Sequence, residues 1–163
     1  MTWRQRYGRK LLGELNDDQH GFGLVDTMVA LALTIVALGF VALGAIQLKR
    51  TADLDGAALI LLGHLRLAQS LAATSDEAAS VWLDPYDTRY HLTRGTTFLG
   101  QYQFPSDVDY VDGYLQLPNR RISYDNLGNA QVAGQIRLTN GSVERDIHLY
   151  MGAGLQVSGW LSQ

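Results

Sequence analysis

The sequence contains no cysteine. Disulfide bonds, a catalytic thiolate and a cysteine-ligated zinc site are therefore excluded. Proline is scarce, and the first of the three prolines is Pro85, so no proline interrupts a helix in the first half of the chain. The chain also lacks an excess of positive charge. Its formal net charge is -3, which gives no reason to expect nucleic acid as the main partner.

Charged residues are missing altogether from residues 27–48, a run of 22 residues rich in Leu, Val and Ala. A helix of that length is roughly 33 Å long, close to the ~30 Å hydrocarbon core of a bilayer. The apolar region of a cleaved secretory signal is shorter, and the far end of this run has no small-residue cleavage site. The run therefore predicts a membrane-spanning helix, with a buried core helix as the alternative.

The charges on either side of this run predict its orientation. Four Lys and Arg side chains precede it, and Lys49 and Arg50 follow it. Because cytoplasmic flanks carry the excess of Lys and Arg, we expect the N-terminus to be cytoplasmic and the chain after Arg50 to lie outside. The four preceding residues are Arg4, Arg6, Arg9 and Lys10.

One acid, Asp26, stands at the start of the apolar run. It can be interpreted as a helix cap that complements the positive end of the helix dipole. An ionisable group in a membrane segment is costly, however, and a functional role is the other interpretation.

The residues around this acid, GFGLVD at positions 21–26, precede a long apolar helix. The string resembles the prepilin cleavage and methylation motif of type IV pilins and pseudopilins. The resemblance implies cleavage between Gly21 and Phe22 by a prepilin peptidase and N-methylation of Phe22. It also implies that Asp26 pairs with the Phe22 amine of a neighbouring subunit.

The motif departs from the family pattern in several ways. Asp26 stands where Glu is usual, Gly23 where Thr is usual, and the leader is long, at 21 residues. The proline that kinks the helix of many major pilins is absent. These departures favour a minor, low-copy subunit.

Apolar residues continue at helical spacing beyond the predicted span. They recur every three or four residues, as expected of one face of an amphipathic helix that ends near residues 74–76. His64 lies on the flank of this stripe, and residue 68 offers it no second metal ligand, so we expect a half-buried helix histidine. The stripe comprises Leu54, Ala58, Leu61, Leu65, Ala68 and Ala72.

After Asp76 the sequence predicts short strands separated by turn residues. Apolar and polar residues alternate in 135–139 and 145–150, and Asn140-Gly141 between them predicts a hairpin. The order of the last strands resembles GspH/FimT-like minor pseudopilins. The predicted strands are 80–83, 89–93, 100–104, 114–117, 121–124, 135–139, 145–150 and 155–157.

These elements predict an α+β fold with a pilin-like architecture, in which a long N-terminal helix packs on an antiparallel β-sheet head. The expected domains are a leader at 1–21, a transmembrane half of the helix at 22–48, an amphipathic half at 49–74 and a β-rich head at 75–163.

No enzymatic site is predicted. The chain has no G-x-S-x-G motif, its four histidines are scattered, and no cofactor is expected. Asp107, Asp109 and Asp112 form an acidic loop that is a weak calcium candidate, with a solvated turn as the simpler interpretation. Residues 140–142 also match an N-glycosylation sequon, although the hairpin turn already explains them.

DNA is not expected to bind directly. From Lys49 onward the chain carries nine Lys and Arg against twelve Asp and Glu, and 9 − 12 gives a net charge of -3. Phosphate contacts need a basic patch, which this balance does not supply.

The resemblance implies a structural subunit that primes, caps or adapts a type IV pilus, type II secretion or DNA-uptake filament. Its expected partners are the prepilin peptidase, other pilins or pseudopilins, the inner-membrane assembly platform and, before assembly, lipid. We expect a single-pass protein of the inner or plasma membrane that later joins a periplasmic or cell-surface filament. The alternative is an uncleaved, signal-anchored extracellular β domain that binds a ligand or cell-wall component.

Overall fold

The computed structural model describes residues 19–84, 86–111, 119–152 and 157–159, with side chains for residues 23–84, 86–111 and 119–152. One helix, α1, spans Gln19–Thr74. The chain divides into two compact units between Gln47 and Leu48. Eight strands follow the helix: β1 Ala79–Leu83, β2 Arg89–Arg94, β3 Thr97–Gln103, β4 Asp109–Val111, β5 Arg121–Tyr124, β6 Gly134–Thr139, β7 Glu144–Leu149 and β8 Val157–Gly159.

The strands form two four-stranded antiparallel sheets. The first has the order β3-β2-β1-β5 and the second β4-β6-β7-β8. The hairpins β1–β2, β2–β3 and β6–β7 join strands that are consecutive in the chain. Strand β5 instead pairs with β1, from which it is separated by two other strands of the same sheet and by β4. The predicted α+β class is confirmed, as is the long N-terminal helix packed on antiparallel sheets.

In the second unit, α1 buries the predicted apolar stripe against the sheets. Leu54, Leu61 and Leu65 are fully buried, and the stripe alanines at 58, 68 and 72 are at most 3% exposed. The strands contribute alternate residues to the same core, as the burial of Tyr90 and Leu92 in β2 shows. A stripe with this spacing lies along one side of a helix, so a single helix face can cover the sheets.

The helix ends where the sequence predicted. Neither a glycine nor a proline stops it. Instead, the Ser75 backbone N–H and hydroxyl both donate to the Leu71 carbonyl, at 3.1 and 2.6 Å, and the Thr74 hydroxyl donates to the Ser70 carbonyl. These hydroxyls are additional donors to carbonyls of the last helical turn, beside the backbone N–H groups.

The region after the helix is held to it by polar contacts as well as by the core. Asp55 accepts a hydrogen bond from Arg145 of β7 at 2.7 Å, and the Gln69 side-chain amide donates to the Gly128 carbonyl at 2.9 Å. Gly128 has a φ of +79°, and a Cβ there would lie 3.0 Å from the Cβ of Ala73. Both the backbone conformation and the close approach of the helix therefore require glycine.

Five strands agree with the sequence-based prediction to within one residue at each end. β3 begins three residues earlier than predicted, because a register shift between Leu92 and Thr93 carries the pairing on to Thr97. The prediction at 155–157 lies partly outside the described residues, since β8 begins at Val157. The prediction at 114–117 lies wholly outside them.

The interpretation of Asp107, Asp109 and Asp112 as one acidic loop was wrong at Asp109. This residue begins β4 and pairs with Thr139 of β6. A three-residue strand is too short to show an alternating pattern, which explains why the sequence did not reveal it. Asp112 lies outside the described residues.

Candidate functional site

The predicted processing motif lies in the first turns of α1. Gly21 and Phe22 are helical, and Asp26 follows Phe22 by four residues. Residues four apart lie on the same face of a helix, about one turn from each other. The Asp26 side chain is exposed. The helix therefore presents a single carboxylate at its surface, close behind the predicted cleavage point.

An apolar surface surrounds the helix after this acid. The large side chains between residues 24 and 48 lie on every face of the helix, and each is at least half exposed. The most apolar stretch of the helix contains no buried residue. The large side chains are Leu24, Val25, Met28, Val29, Leu31, Leu33, Ile35, Val36, Leu38, Phe40, Val41, Leu43, Ile46 and Leu48. A helix that is apolar all round is buried in a protein core or in a membrane.

The polar side chains in this surface are satisfied within the helix itself. The Thr27 hydroxyl donates to the Leu24 carbonyl at 2.8 Å, and the Thr34 hydroxyl donates to the Ala30 carbonyl at 2.7 Å. Neither hydroxyl then needs a hydrogen-bond partner outside the helix, as a lipid environment requires. By length and composition, this helix could cross a membrane.

Charge returns at Lys49, which pairs with Asp53 one turn further along the helix. The Asp53 carboxylate raises the pKa of Lys49, first through its hydrogen bond and then through its charge. The uncharged part of the helix surface thus ends at this ion pair, in which the Lys49 side chain is exposed.

The second unit contains a buried ion pair that the sequence did not reveal. The Arg137 guanidinium donates to both carboxylate oxygens of Asp146 at 2.8 Å, and it also lies 3.2 Å from Glu144. Alternation had placed Asp146 on the polar face of its strand, but its side chain is 1% exposed. The two residues are directly opposite in the β6–β7 hairpin, so complementary charges equidistant from the turn at residues 140–143 were the available signal.

A second buried acid, Asp84, orders the turn between β1 and β2. It accepts a hydrogen bond from the Tyr86 backbone N–H at 3.0 Å and another from Arg89 at 2.9 Å. These donors lower the pKa of Asp84, with the Tyr86 N–H as the largest cause. Both hydrogen bonds stabilise the turn between β1 and β2, so Asp84 has a structural role there.

His64 is half-buried, as predicted, and it contacts two tyrosines. Its Nδ1 lies 2.7 Å from the Tyr90 hydroxyl, and its ring centroid lies 3.9 Å from that of Tyr102. Burial lowers the pKa of His64 and raises the pKa of the Tyr90 hydroxyl. Both shifts favour the neutral forms, so this cluster packs the helix on the first sheet as an uncharged group.

The remaining histidines do not form a metal centre in the part of the chain that has described side chains, where no three His, Cys, Asp or Glu side chains are grouped. His91 stacks on Trp82 across the β1–β2 pair, with ring centroids 5.1 Å apart. His148 is partly exposed on β7. The side chain of His20 lies outside the described set.

Comparison with known proteins adds no family assignment: no protein-family model matches the chain, and neither a curated protein nor a solved structure shows significant similarity to it.

Proposed function

We propose that this protein is a minor pilin or pseudopilin, a structural subunit of a type IV pilus, type II secretion or DNA-uptake filament. The observation that carries the proposal is the string GFGLVD, which places one exposed acid, Asp26, directly before residues 27–48, a helical stretch without charge whose large apolar side chains point to all sides. In this proposal a prepilin peptidase removes residues 1–21, and the α-amino group of Phe22 is methylated.

Charge pairing explains why an acid is tolerated at this point. An unpaired carboxylate costs roughly 2.5–3.5 kcal/mol at the bilayer centre and less near the interface. Cleavage after Gly21 creates an ammonium group at Phe22, one helical turn from the acid. When subunits assemble, the Phe22 amine of one subunit and the Asp26 carboxylate of its neighbour neutralise each other, so neither charge stays alone in apolar surroundings.

The exposed apolar side chains support assembly in the same way. Lipid covers them before assembly, and the helices of neighbouring subunits cover them in the filament. The other pilins or pseudopilins and the inner-membrane assembly platform are the proposed partners. The protein is then a single-pass membrane protein with a cytoplasmic N-terminus until it joins a periplasmic or cell-surface filament.

The first experiment is mass spectrometry of the mature N-terminus, on protein purified from a host with its prepilin peptidase. We expect a chain that begins at N-methylated Phe22. In a peptidase-deficient host the chain should begin at Met1. Native protein that keeps residues 1–21 in both hosts would refute the proposal and leave the uncleaved, signal-anchored β domain.

The second experiment separates processing from assembly. Gly21→Leu should block cleavage. Asp26→Ala should be cleaved normally but should incorporate poorly into filaments, whereas Asp26→Glu, which restores the acid usual in the family, should incorporate at least as well as wild type. Asp53→Ala is the matched control, because it removes an acid of the same helix beyond the apolar surface. Equal incorporation of Asp26→Ala and wild type would contradict the charge-pairing mechanism.

A further inference from the structure

The tip of the β6–β7 hairpin carries the one Asn-Gly pair of the sequence. Gly141 has a φ of +84°, and apart from its two chain neighbours no residue lies within 4 Å of the position that a Cβ would occupy. Gly141 and Ser142 are both exposed. The backbone N–H of Gly141 is therefore not shielded by a side chain of its own, and water reaches the turn.

Two backbone donors polarise the side-chain amide of Asn140. Its Oδ1 accepts hydrogen bonds from the Ser142 N–H at 3.0 Å and from the Val143 N–H at 2.9 Å. Paired N–H donors on a carbonyl oxygen stabilise the negative charge that develops there when a nucleophile attacks the carbonyl carbon. The geometry thus activates Cγ of Asn140 toward the next nitrogen in the chain.

We propose that Asn140 is a site of spontaneous deamidation. The Gly141 nitrogen loses its proton and bonds to Cγ of Asn140, while the Cγ–Nδ2 bond breaks and ammonia leaves. Water then opens the resulting succinimide ring at either carbonyl and gives aspartate or isoaspartate. Water is the only co-reactant, and no oxidation or reduction occurs.

Thr139 restrains this reaction. Its Oγ1 accepts a hydrogen bond from the Gly141 N–H at 3.1 Å and donates one to the Val143 carbonyl at 3.1 Å. While the Gly141 nitrogen donates to Thr139, its proton is held and its lone pair is not aimed at Cγ. The Thr139 hydroxyl is therefore a positioning group that slows attack.

The other asparagines have less reactive neighbours. Asn119, Asn126 and Asn129 are followed by Arg, Leu and Ala, whose side chains hinder the approach of the backbone nitrogen, and Asn16 is followed by Asp17. Asn129 is held further by its side-chain hydrogen bond to Asp125 at 3.2 Å. We therefore expect Asn140 to react before the rest.

Deamidation breaks a contact between the hairpin and the helix. The Nδ2 of Asn140 donates to the backbone carbonyl of Arg50 at 3.2 Å. An aspartate puts an acceptor where this donor was, so two oxygens face each other. An isoaspartate also adds one carbon to the backbone of the turn, next to the Thr139–Glu144 pair that closes the hairpin. The modification loosens this end of the second sheet from α1.

The test follows the full-length protein in detergent during incubation at mildly alkaline pH, with peptide mapping and isoaspartate detection over time. We expect the mass change at Asn140 first, while Asn119, Asn126 and Asn129 stay intact. An Asn140 that remains unmodified while another asparagine converts would overturn the proposal. So would a glycan found on Asn140, because a substituted amide does not lose ammonia by this route.

Variants of the turn test the mechanism. Thr139→Val removes the restraining acceptor and should speed deamidation of Asn140 roughly two- to tenfold, the range expected for one hydrogen bond. Thr97→Val, which removes an exposed threonine hydroxyl elsewhere, is the control and should leave the rate unchanged. Gly141→Ala should slow the reaction. An unchanged rate in Thr139→Val would refute the restraint, and an unchanged rate in both Thr139→Val and Gly141→Ala would refute the cyclic mechanism.

The structural consequence has its own measurement. Asn140→Asp should raise hydrogen exchange at residues around Arg50, relative to wild type, because it removes the Nδ2 donor to the Arg50 carbonyl but keeps the oxygen that accepts from Ser142 and Val143. Asn119→Asp is the matched control and should leave these sites unchanged. Equal exchange in Asn140→Asp and wild type would show that the Asn140–Arg50 contact does not hold the hairpin.

Discussion

Residues 24–48 and residues 54–72 belong to the same helix, and both lengths are rich in Leu and Ala. The first length exposes its large apolar side chains, whereas the second buries those on one face. Leu38 is 62% exposed, whereas Leu61 is 0% exposed. The difference lies in the position of charged and polar residues: after Asp26 the first length has no charged residue and only a few Thr and Gln side chains, whereas the second carries its charged residues away from the buried stripe. Total hydrophobicity therefore does not decide how a helix is buried, whereas its angular distribution does.

The second length is not uniformly polar on its outer side. Leu59, Ile60 and Leu67 are exposed there, at 54%, 58% and 44%. Isolated apolar side chains on a surface are common and need no partner. They also supply controls, because they are apolar positions on the helix that do not belong to the core.

The largest effect is expected from a charge in the first length. Leu38→Lys should raise the free energy of membrane insertion by about 3–4 kcal/mol, since a central leucine favours and a central lysine opposes insertion. A translocon-insertion assay measures the fraction of chains that insert, and this fraction gives the free energy of insertion. Leu67→Lys should leave insertion unchanged. Equal insertion of both variants would show that the apolar run is not what anchors the chain.

A cavity in the core should lower the free energy of unfolding of the second unit by a similar amount. Leu61→Ala removes a fully buried side chain between α1 and the sheets, so we expect a loss of roughly 3 kcal/mol in the free energy of unfolding. Leu67→Ala should cost less than about 1 kcal/mol, because this side chain is 44% exposed. Denaturant unfolding of the full-length protein in micelles distinguishes the two, and similar midpoints would contradict the burial of this helix face.

Removal of the buried acid in β7 should cost somewhat less. Asp146→Ala leaves Arg137 without its bidentate partner, and a fully buried pair broken in this way loses about 3–5 kcal/mol. Since Glu144 still lies 3.2 Å from Arg137, we expect about 2–3 kcal/mol in the same unfolding measurement. Asp53→Ala, which breaks an exposed pair, should leave the unfolding midpoint close to that of wild type.

The smallest effect concerns pH and His64. Burial lowers its pKa from the ordinary 6.5, so the folded state binds this proton less readily than the unfolded state. Its contribution to stability is then present above about pH 6.5 and is lost as the pH falls below that value. His64→Gln should flatten the dependence of the unfolding temperature between pH 7.5 and 5.5. An unchanged slope would show that His64 does not titrate in contact with Tyr90 and Tyr102.

The elements with local patterns could be predicted. The helix was expected to end near Thr74, and Leu54, Leu61 and Leu65 were expected on its buried side, because every third or fourth residue of a helix shares a face. The β6–β7 hairpin followed from Asn140-Gly141 and the alternation on either side of it. For the candidate site, the residues around Asp26 could be named from the sequence, and their pairing across subunits stays a prediction.

Other features had no local signal. β4 pairs with β6 although its three residues show no alternation, and β5 pairs with β1 across three intervening strands. The sequence predicts Asp146 on the polar face of β7, and only the structure shows that Arg137 lies opposite it and that the acid is buried. The sequence marks Gly128 only as a turn glycine, and the structure shows that Ala73 of the helix lies against it.

The sequence by itself determined the apolar run, the amphipathic stripe and the strands with regular alternation, since each depends on residues that are near neighbours along the chain. Only the tertiary structure decided how the strands divide into two sheets, which acid is buried and which glycine has no substitute. These depend on groups brought together from distant parts of the chain: a charge can be buried only where a partner meets it, and a Cβ is excluded only where another segment already fills the space.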